Sequence, residues 1–480
     1  MNYHLVVLGC QMNQSDSERV KRVVEEMGLV ETLNEDDADL IGIIACSVRQ
    51  KAIDKVYTKI QKWNSLKNKK PLITFATGCI LPDDKLKFLK QFDLVFDIGE
   101  VLSLPKLIAQ YGVSSPLVNA LGMAKKLSFP SKSDISLDAI MVDSDVMIRS
   151  DIKPTASFLS PLKRKTISFE NQQWEVKPKY NSGFEAYVPI QNGCDKFCTF
   201  CAVPYTRGRE VSRPSTEILD EINHLVASGY KSITLLGQNV NSYGKDSQGS
   251  ELSFADLLSA VGEIIEKARA DVWVYFTSPH PRDMTREVIE VISRYSCLAK
   301  QIHLPLQSGD NKVLIRMNRK HNMDRYREIV GWIRELLPTA TLFTDIIVGF
   351  TGESDEQFDR TRLAMNEFKY NMAYIATYSP RPGAASFQWA DDVDHAVKKE
   401  RLAVLTTDLV VSASEYTSQM MHQTIKILVR NDDRKQGYLT GHTEGKIVVR
   451  FACDDKALIG QFVQIKVTST TPFSVEGNLV

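Results

Sequence analysis

The chain has no surplus of charge of either sign: its 59 lysines and arginines match 59 aspartates and glutamates. Net charge therefore neither implies nor excludes a nucleic-acid partner, and any basic surface has to be local. It also lacks an uninterrupted apolar run of the roughly 20 residues that a membrane-spanning helix needs. Residues 1–10 hold one short apolar run and no basic leader, so a cytoplasmic protein that does not enter a membrane is expected. Cysteine is sparse, with eight in 480 residues. Without a secretory signal these do not make a disulfide framework, because the cytosol keeps thiols reduced. The length does allow two or three domains with sizeable cores, and the few cysteines matter by their placement.

Residues 1–112 alternate strand-like and helix-like segments. Residues 3–8, 40–44 and 72–76 are apolar and β-rich, and helical patterns at 17–27 and 51–64 lie between them, which predicts a parallel α/β sheet. Each strand is followed by a cysteine, in Gly9-Cys10, Ala45-Cys46 and Gly78-Cys79. Ligands collect at the carboxyl ends of parallel strands, so Cys10, Cys46 and Cys79 can converge on one edge of the sheet. One buried cysteine at one strand end would be an ordinary small apolar residue; three in succession form a candidate three-thiolate site. Glycine before Cys10 and Cys79 lets backbone approach a bulky neighbour. A fourth strand at 93–96 brings no thiol. In residues 113–182 the alternation breaks down into serine, proline, lysine and aspartate, which reads as a linker, an insertion or a substrate-contacting arm.

A second α/β series starts at about residue 183 and runs to 415. Strands are expected at 186–191, 232–236, 272–276, 301–306, 342–348 and 372–378, and helices at 216–228, 254–268, 285–295, 324–337 and 355–367. Ser253 with Asp256, and Ser354 with Gln357, look like capping boxes. Six repeats predict a partial (β/α) barrel, whose strand ends carry its chemistry. Those ends are polar here: Gly237-Gln238-Asn239, Thr277-Ser278-Pro279-His280, Gln307-Ser308-Gly309 and Gly349-Phe350-Thr351-Gly352-Glu353. Each cluster alone could be a turn, but repetition at successive strand ends points to a shared pocket. The first strand runs into a loop with Cys194, Cys198 and Cys201. Three thiolates can hold three irons of a cubane cluster and leave the fourth open, whereas structural zinc favours paired Cys-x-x-Cys hooks that fill every position. Cys297 and Cys453 lie outside both triplets and read as structural thiols.

Residues 416–480 follow a long helix and turn to short alternating strands at 425–429, 438–443, 446–451 and 462–467, a pattern that predicts a small β-barrel. Lys426, Arg430, Arg434, Lys435, Lys446, Arg450 and Lys466 make it either a candidate nucleic-acid platform or a plain solvated surface, since nearby acids offset many of them.

The Cys-x-x-x-Cys-x-x-Cys loop on a partial barrel resembles the radical S-adenosylmethionine enzymes. With the strand-end cysteines before it and a small barrel after it, the chain resembles the methylthiotransferases throughout, except over roughly 113–183. Gly9-Cys-Gln-Met-Asn13, Cys46-Ser-Val-Arg-Gln-Lys-Ala52, Thr199-Phe-Cys-Ala-Val-Pro-Tyr-Thr-Arg-Gly208 and Gly237-Gln-Asn-Val-Asn241 look most like the tRNA-modifying branch. Ala45 stands where that family commonly has threonine, and Thr351 where it has proline; neither is a proposed ligand.

The resemblance implies an α/β fold in three parts: an N-terminal cluster domain, a radical S-adenosylmethionine barrel and a C-terminal TRAM β-barrel. It implies two 4Fe-4S clusters, one on Cys194, Cys198 and Cys201 and an auxiliary one on Cys10, Cys46 and Cys79. S-adenosylmethionine would be both radical source and methyl donor, with Gly237, Gln238, Ser308, Ile347 and Gly349 near it. No side chain would act as acid or base; the radical would come from the cofactor. The implied reaction inserts sulfur and methyl at C2 of an N6-isopentenylated adenosine beside the anticodon. Its partners would be a tRNA anticodon stem-loop and a reducing donor such as flavodoxin or ferredoxin, with the enzyme a monomer. Other targets, a threonylcarbamoylated tRNA adenosine or a ribosomal protein, stay open, as does a non-catalytic iron-sulfur RNA-binding or redox protein.

Overall fold

The computed structural model describes residues 1–48, 50–110, 147–148, 174–247 and 249–480. They form two compact units: Met1–Asn181 with Ala202–Gly208, and Ser182–Cys201 with Arg209–Val480.

The first unit is built on strands β1 (Asn2–Val7), β2 (Val30–Glu31), β3 (Leu40–Cys46), β4 (Ile73–Cys79), β5 (Leu94–Val95) and β6 (Met147–Ile148), in the order β2-β1-β3-β4-β5-β6. All neighbours are parallel except β5 and β6. Strands β3 and β4 are buried along their whole length, as expected when helices cover both faces of a sheet. Side chains alternate between two cores: Tyr3, Leu40, Phe75 and Phe96 belong to one, while Ile41, Ile43, Val56, Trp63 and Phe92 belong to the other.

The structure departs from the sequence pattern in two ways here. The first helix is Gln11–Glu26 rather than 17–27. Its early turns bury Asn13, Ser15, Asp16, Ser17, Glu18 and Arg19, so no apolar stripe announces them. The stretch read as a linker contributes the edge strand β6, and its end docks on this unit, with Val176 in the core and Lys179 N bonded to Glu18 O at 3.0 Å. The rest of that stretch, residues 113–146 and 149–173, lies outside the described residues.

The second unit holds two three-stranded parallel sheets. One has β7 (Glu185–Pro189), β10 (Ser232–Leu236) and β11 (Trp273–Phe276); the other has β12 (Gln301–His303), β13 (Thr341–Val348) and β14 (Met372–Thr377). Between β7 and β10 the chain forms the short pair β8 (Gln191–Asn192) and β9 (Val211–Ser212). The six main strands are the six expected, and Val274 of β11 forms an isolated parallel bridge with Leu298, just before β12. Ser354 and Gln357 make a reciprocal capping box. Ser253 accepts from Asp256 N, but its hydroxyl turns to the Asp256 carboxylate, which leaves that box half made.

A helix, His395–Ser418, leads to a closed barrel of β15 (Thr424–Asp432), β16 (Tyr438–Thr443), β17 (Val448–Ala452), β18 (Phe462–Thr470) and β19 (Ser474–Leu479). Closure removes exposed edges, and β19, unmarked in the sequence pattern, supplies it by pairing parallel to β17 and antiparallel to β18. Among the described residues, no helix is long and apolar enough to cross a membrane.

Candidate functional site

In the first unit the sheet register pairs two thiols, and a third lies near them through the side chain of Asn13. Cys46 and Cys79 are direct partners where β3 and β4 end. Cys10 ends the turn after β1 and sits at the N-terminus of Gln11–Glu26. Asn13, one turn into that helix, ties them: its Nδ2 donates to Ala45 O at 2.8 Å, and its Oδ1 accepts from Cys10 Sγ at 3.4 Å and Cys79 Sγ at 3.8 Å. The flanking glycines make room for this packing. A Cβ at Gly9 would meet Asn13 Cγ at 2.8 Å, and at Gly78, where φ is +110°, it would meet Ala45 O at 2.5 Å.

Cys79 lies well above the usual thiol range because of its hydrogen bond with Cys46 and its burial, against the pull of the Arg207 guanidinium. Burial and the neighbouring Cys79 raise Cys10.

In the second unit Cys194, Cys198 and Cys201 lie on one loop at the strand ends. Gly193 N donates to Gln238 Oε1 at 2.5 Å, Thr199 N and Oγ1 bond to Met317 O and Arg316 O at 3.0 and 2.8 Å, and Asn318 Nδ2 bonds to Phe197 O at 2.9 Å. Phe197 is held at φ +48°. Arg319 Nη1 lies 3.5 Å from Cys198 Sγ, and burial pushes the Cys194 thiol up to about 11. Beneath the loop, Lys196 forms a buried pair with Asp283 at 2.8 Å.

Beside this loop, several buried polar atoms have no partner among the described residues: Gln191 Nε2, Glu210 Oε2, Asn239 Oδ1 and His280 Nε2. Burial holds His280 far below its usual range, so its ring is neutral. Unsatisfied buried groups are costly, at ~1–3 kcal/mol each, and a cluster of them signals a ligand or water. One amide donor, a carbonyl, a carboxylate and an imidazole nitrogen match a ligand carrying both an amino and a carboxylate group. Asn239 and His280 belong to strand-end clusters visible in the sequence, whereas Gln191 and Glu210 on the first loop carried no signal of their own.

The residues named from the sequence as lying near S-adenosylmethionine are spread more widely in role. Gly237 packs on Gln191, and Gln238 braces the cysteine loop. Ser308 Oγ faces Thr361 Oγ1 at 3.3 Å and caps Asp310 N. Gly349 donates to Glu353 Oε2 at 2.6 Å and packs on Lys398, while Ile347 packs beside Phe350. A further polar group, missed because it lies mid-strand, joins His303 Nε2 to Asp345 Oδ2 at 2.6 Å beside the exposed Tyr374. A carboxylate in the otherwise apolar β13 was its only sequence signal.

Cys297 is buried and Cys453 packs at the barrel core, as expected of structural thiols. Most of the terminal barrel's cations are engaged within the second unit. Lys426 pairs with Asp271 at 2.6 Å, Arg430 with Glu185 at 2.6 Å and Arg450 with Asp433 at 2.8 Å, and Lys446 lies 3.7 Å from the Tyr275 ring centroid. Arg434 and Lys466 remain exposed.

A partial α/β barrel with three cysteines on its first strand-end loop, followed by a closed five-stranded barrel, defines a radical S-adenosylmethionine enzyme with an appended TRAM domain. Residues 188–364 match the Radical SAM superfamily, 419–480 the TRAM domain, and 2–98 the family described as Uncharacterized protein family UPF0004. The chain is 34% identical over its whole length to a tRNA-2-methylthio-N(6)-dimethylallyladenosine synthase of Bacillus cereus, covering 86% of that protein. It is 33% identical to one of Saccharophagus degradans, over 98% of this chain and 95% of that one. The chain belongs to this methylthiotransferase family. Its fold is also similar to the radical S-adenosylmethionine methyltransferase TsrM of Kitasatospora setae, with a TM-score of 0.55 at 12% identity over 80% of this chain and 74% of that one.

Proposed function

We propose that the protein is a tRNA methylthiotransferase that converts N6-isopentenyladenosine beside the anticodon to its 2-methylthio derivative, using S-adenosylmethionine and two 4Fe-4S clusters. The observation that carries this reading is the presence of two separate cysteine triads in one chain, at the strand ends of the first unit and on the loop of the second. A radical enzyme that only abstracts hydrogen needs one. The second gives sulfur insertion a place of its own.

In this reading Cys194, Cys198 and Cys201 hold the cluster that engages S-adenosylmethionine, and Cys10, Cys46 and Cys79 hold the auxiliary one. The domains are 1–112, 183–415 and 416–480, with 113–182 joining the first two. Bound S-adenosylmethionine supplies a radical able to attack an unreactive C–H bond, which no side chain can do by proton transfer. The chain's own residues bind and orient: Glu210 and Asn239 offer acceptors to an amino group, Gln191 offers a donor to a carboxylate, and Gln238 holds the cysteine loop to the strand end. The neutral His280, whose Nδ1 accepts from Arg282 N at 3.1 Å, adds an Nε2–H donor for the carboxylate without adding charge. The terminal barrel contributes to RNA binding through Arg434 and Lys466, its other cations being engaged in the fold. The protein acts in the cytoplasm as a monomer and draws its electron from a flavodoxin or ferredoxin.

The test is an anaerobic reaction of the reconstituted enzyme with isopentenylated tRNA, S-adenosylmethionine and dithionite, read by mass spectrometry of nucleosides. Formation of 5′-deoxyadenosine with a 2-methylthio-isopentenyl product supports the reading. 5′-Deoxyadenosine without that product, or product only from a threonylcarbamoylated tRNA, would overturn the substrate assignment.

A further inference from the structure

Arg207 plays no part in the reading above. It follows the cysteine loop in sequence, at the end of the short helix Val203–Thr206, yet it belongs to the first unit. Its guanidinium is buried, with 2% of the side chain exposed, and grips Asp16 through Nη1–Oδ1 at 3.4 Å and Nη2–Oδ2 at 2.5 Å. That grip turns Nε onto Cys79 Sγ, 2.9 Å away. Asp16 lies on Gln11–Glu26, the helix that carries Asn13 and follows Cys10.

Guanidinium stays charged at any working pH, and its planar fork lets it bond a carboxylate along one edge while presenting Nε elsewhere. A lysine ammonium has no such second edge. Burying an ion pair costs desolvation that the attraction between its members only partly offsets. A buried pair aimed at a sulfur therefore suggests that a further negative charge belongs there. A cluster on three thiolates is such a charge, and hydrogen bonds to its ligand sulfurs are among the protein's main means of setting its potential.

We infer that Arg207, held by Asp16, is a positioning residue that orients Cys79 as an auxiliary-cluster ligand and makes that cluster easier to reduce. This rests on the reading that Cys10, Cys46 and Cys79 hold a cluster. Arg207 keeps electron density off the Cys79 sulfur, and Asp16 limits how strongly it does so. The two substitutions therefore have opposite consequences.

The experiment uses the full chain with Cys194, Cys198 and Cys201 all changed to Ala, so that only the first-unit cluster can load. It follows an anaerobic redox titration by electron paramagnetic resonance, alongside iron and sulfide analysis. Arg207→Gln is expected to lower the reduced-to-oxidised ratio at fixed potential about tenfold, equivalent to about 59 mV for a one-electron couple. Arg207→Lys is expected to fall between Gln and the parent, and Asp16→Asn to shift the ratio the other way. Equal potentials and spectra in all variants, with full iron content, would overturn the inference. If Arg207→Gln fails to load iron, Asp16→Asn decides: a shift toward easier reduction supports the inference and an unchanged potential overturns it. A parent that binds no iron would instead defeat the underlying cluster reading.

Discussion

The two sets of three cysteines are assembled by different routes. Cys194, Cys198 and Cys201 share one loop, so their proximity is written into the covalent chain, and the fold has only to shape the backbone between them through Gln238, Asn318 and the carbonyls of Arg316 and Met317. Cys10, Cys46 and Cys79 are far apart in sequence and meet only because β1, β3 and β4 lie side by side in register. A slip of one residue would turn Cys46 or Cys79 to the other face of the sheet. The loop triad depends on local geometry, and the strand-end triad on the cooperative folding of a whole unit.

The largest expected effects test whether the triads are functionally separable. Cys198→Ala should reduce S-adenosylmethionine cleavage and product formation to background. Cys10, Cys46 and Cys79 replaced together by Ala should retain formation of 5′-deoxyadenosine while the methylthio nucleoside disappears, both read by mass spectrometry of one reaction. Loss of cleavage in the triple variant would break the comparison.

Gly78→Ala probes the dependence on sheet geometry. Its φ of +110° is unfavourable for any side chain, and the added Cβ would fall 2.5 Å from the Ala45 carbonyl, which is backbone and cannot swing aside. Holding a non-glycine residue there costs on the order of 1–3 kcal/mol. Calorimetry should show destabilisation of the first unit, and iron analysis a deficit at the strand-end triad, while the loop triad stays loaded.

The same contrast governs what could be read from the sequence. The nearness of the cysteines in each set was legible, one from spacing and the other from cysteines following apolar runs, because each signal needs only a few adjacent residues. The six barrel strands were legible from periodicity. Features made by tertiary contact were not. The early turns of Gln11–Glu26 are polar and buried, strand β6 pairs antiparallel at a sheet edge, and Arg207 looks like an ordinary loop arginine until Asp16 and Cys79 are placed around it. Ser308 and Gly349 were picked out as strand-end polar or glycine residues, and sequence position could not show that they bond to Thr361 and Glu353.

A smaller effect separates the units by pH. Burial alone would raise Glu35, but hydrogen bonds from Lys59, Lys62 and Trp63 outweigh it and hold the carboxyl at about 2. Its folded pKa is depressed, so the unfolded chain takes up the proton first. The stabilisation is present above about pH 4.5 and is lost as pH falls toward 2. Because both lysines are partly exposed, screening limits it to about 1 kcal/mol. In the metal-free protein, calorimetry from pH 5 to pH 3 should show the first unit losing this increment, and Glu35→Gln should remove that part of the pH dependence.

The smallest effect lies in the loop triad, where strain is confined to one residue. Phe197 sits at φ +48° with its carbonyl held by Asn318, and Arg209 lies 5.4 Å from its ring centroid. The left-handed conformation costs a non-glycine residue about 1–2 kcal/mol. Phe197→Gly removes that cost, but it also loses a cation–π contact worth about 0.5–1 kcal/mol and frees the unfolded chain. These terms nearly cancel, so little change in stability or loop iron content is expected. Phe197→Val keeps the backbone demand and adds β-branching, which tolerates this region worst, and should lower both. Equal behaviour of the two variants would mean that the loop does not need this backbone conformation, and that its triad is held by the covalent spacing of its cysteines alone.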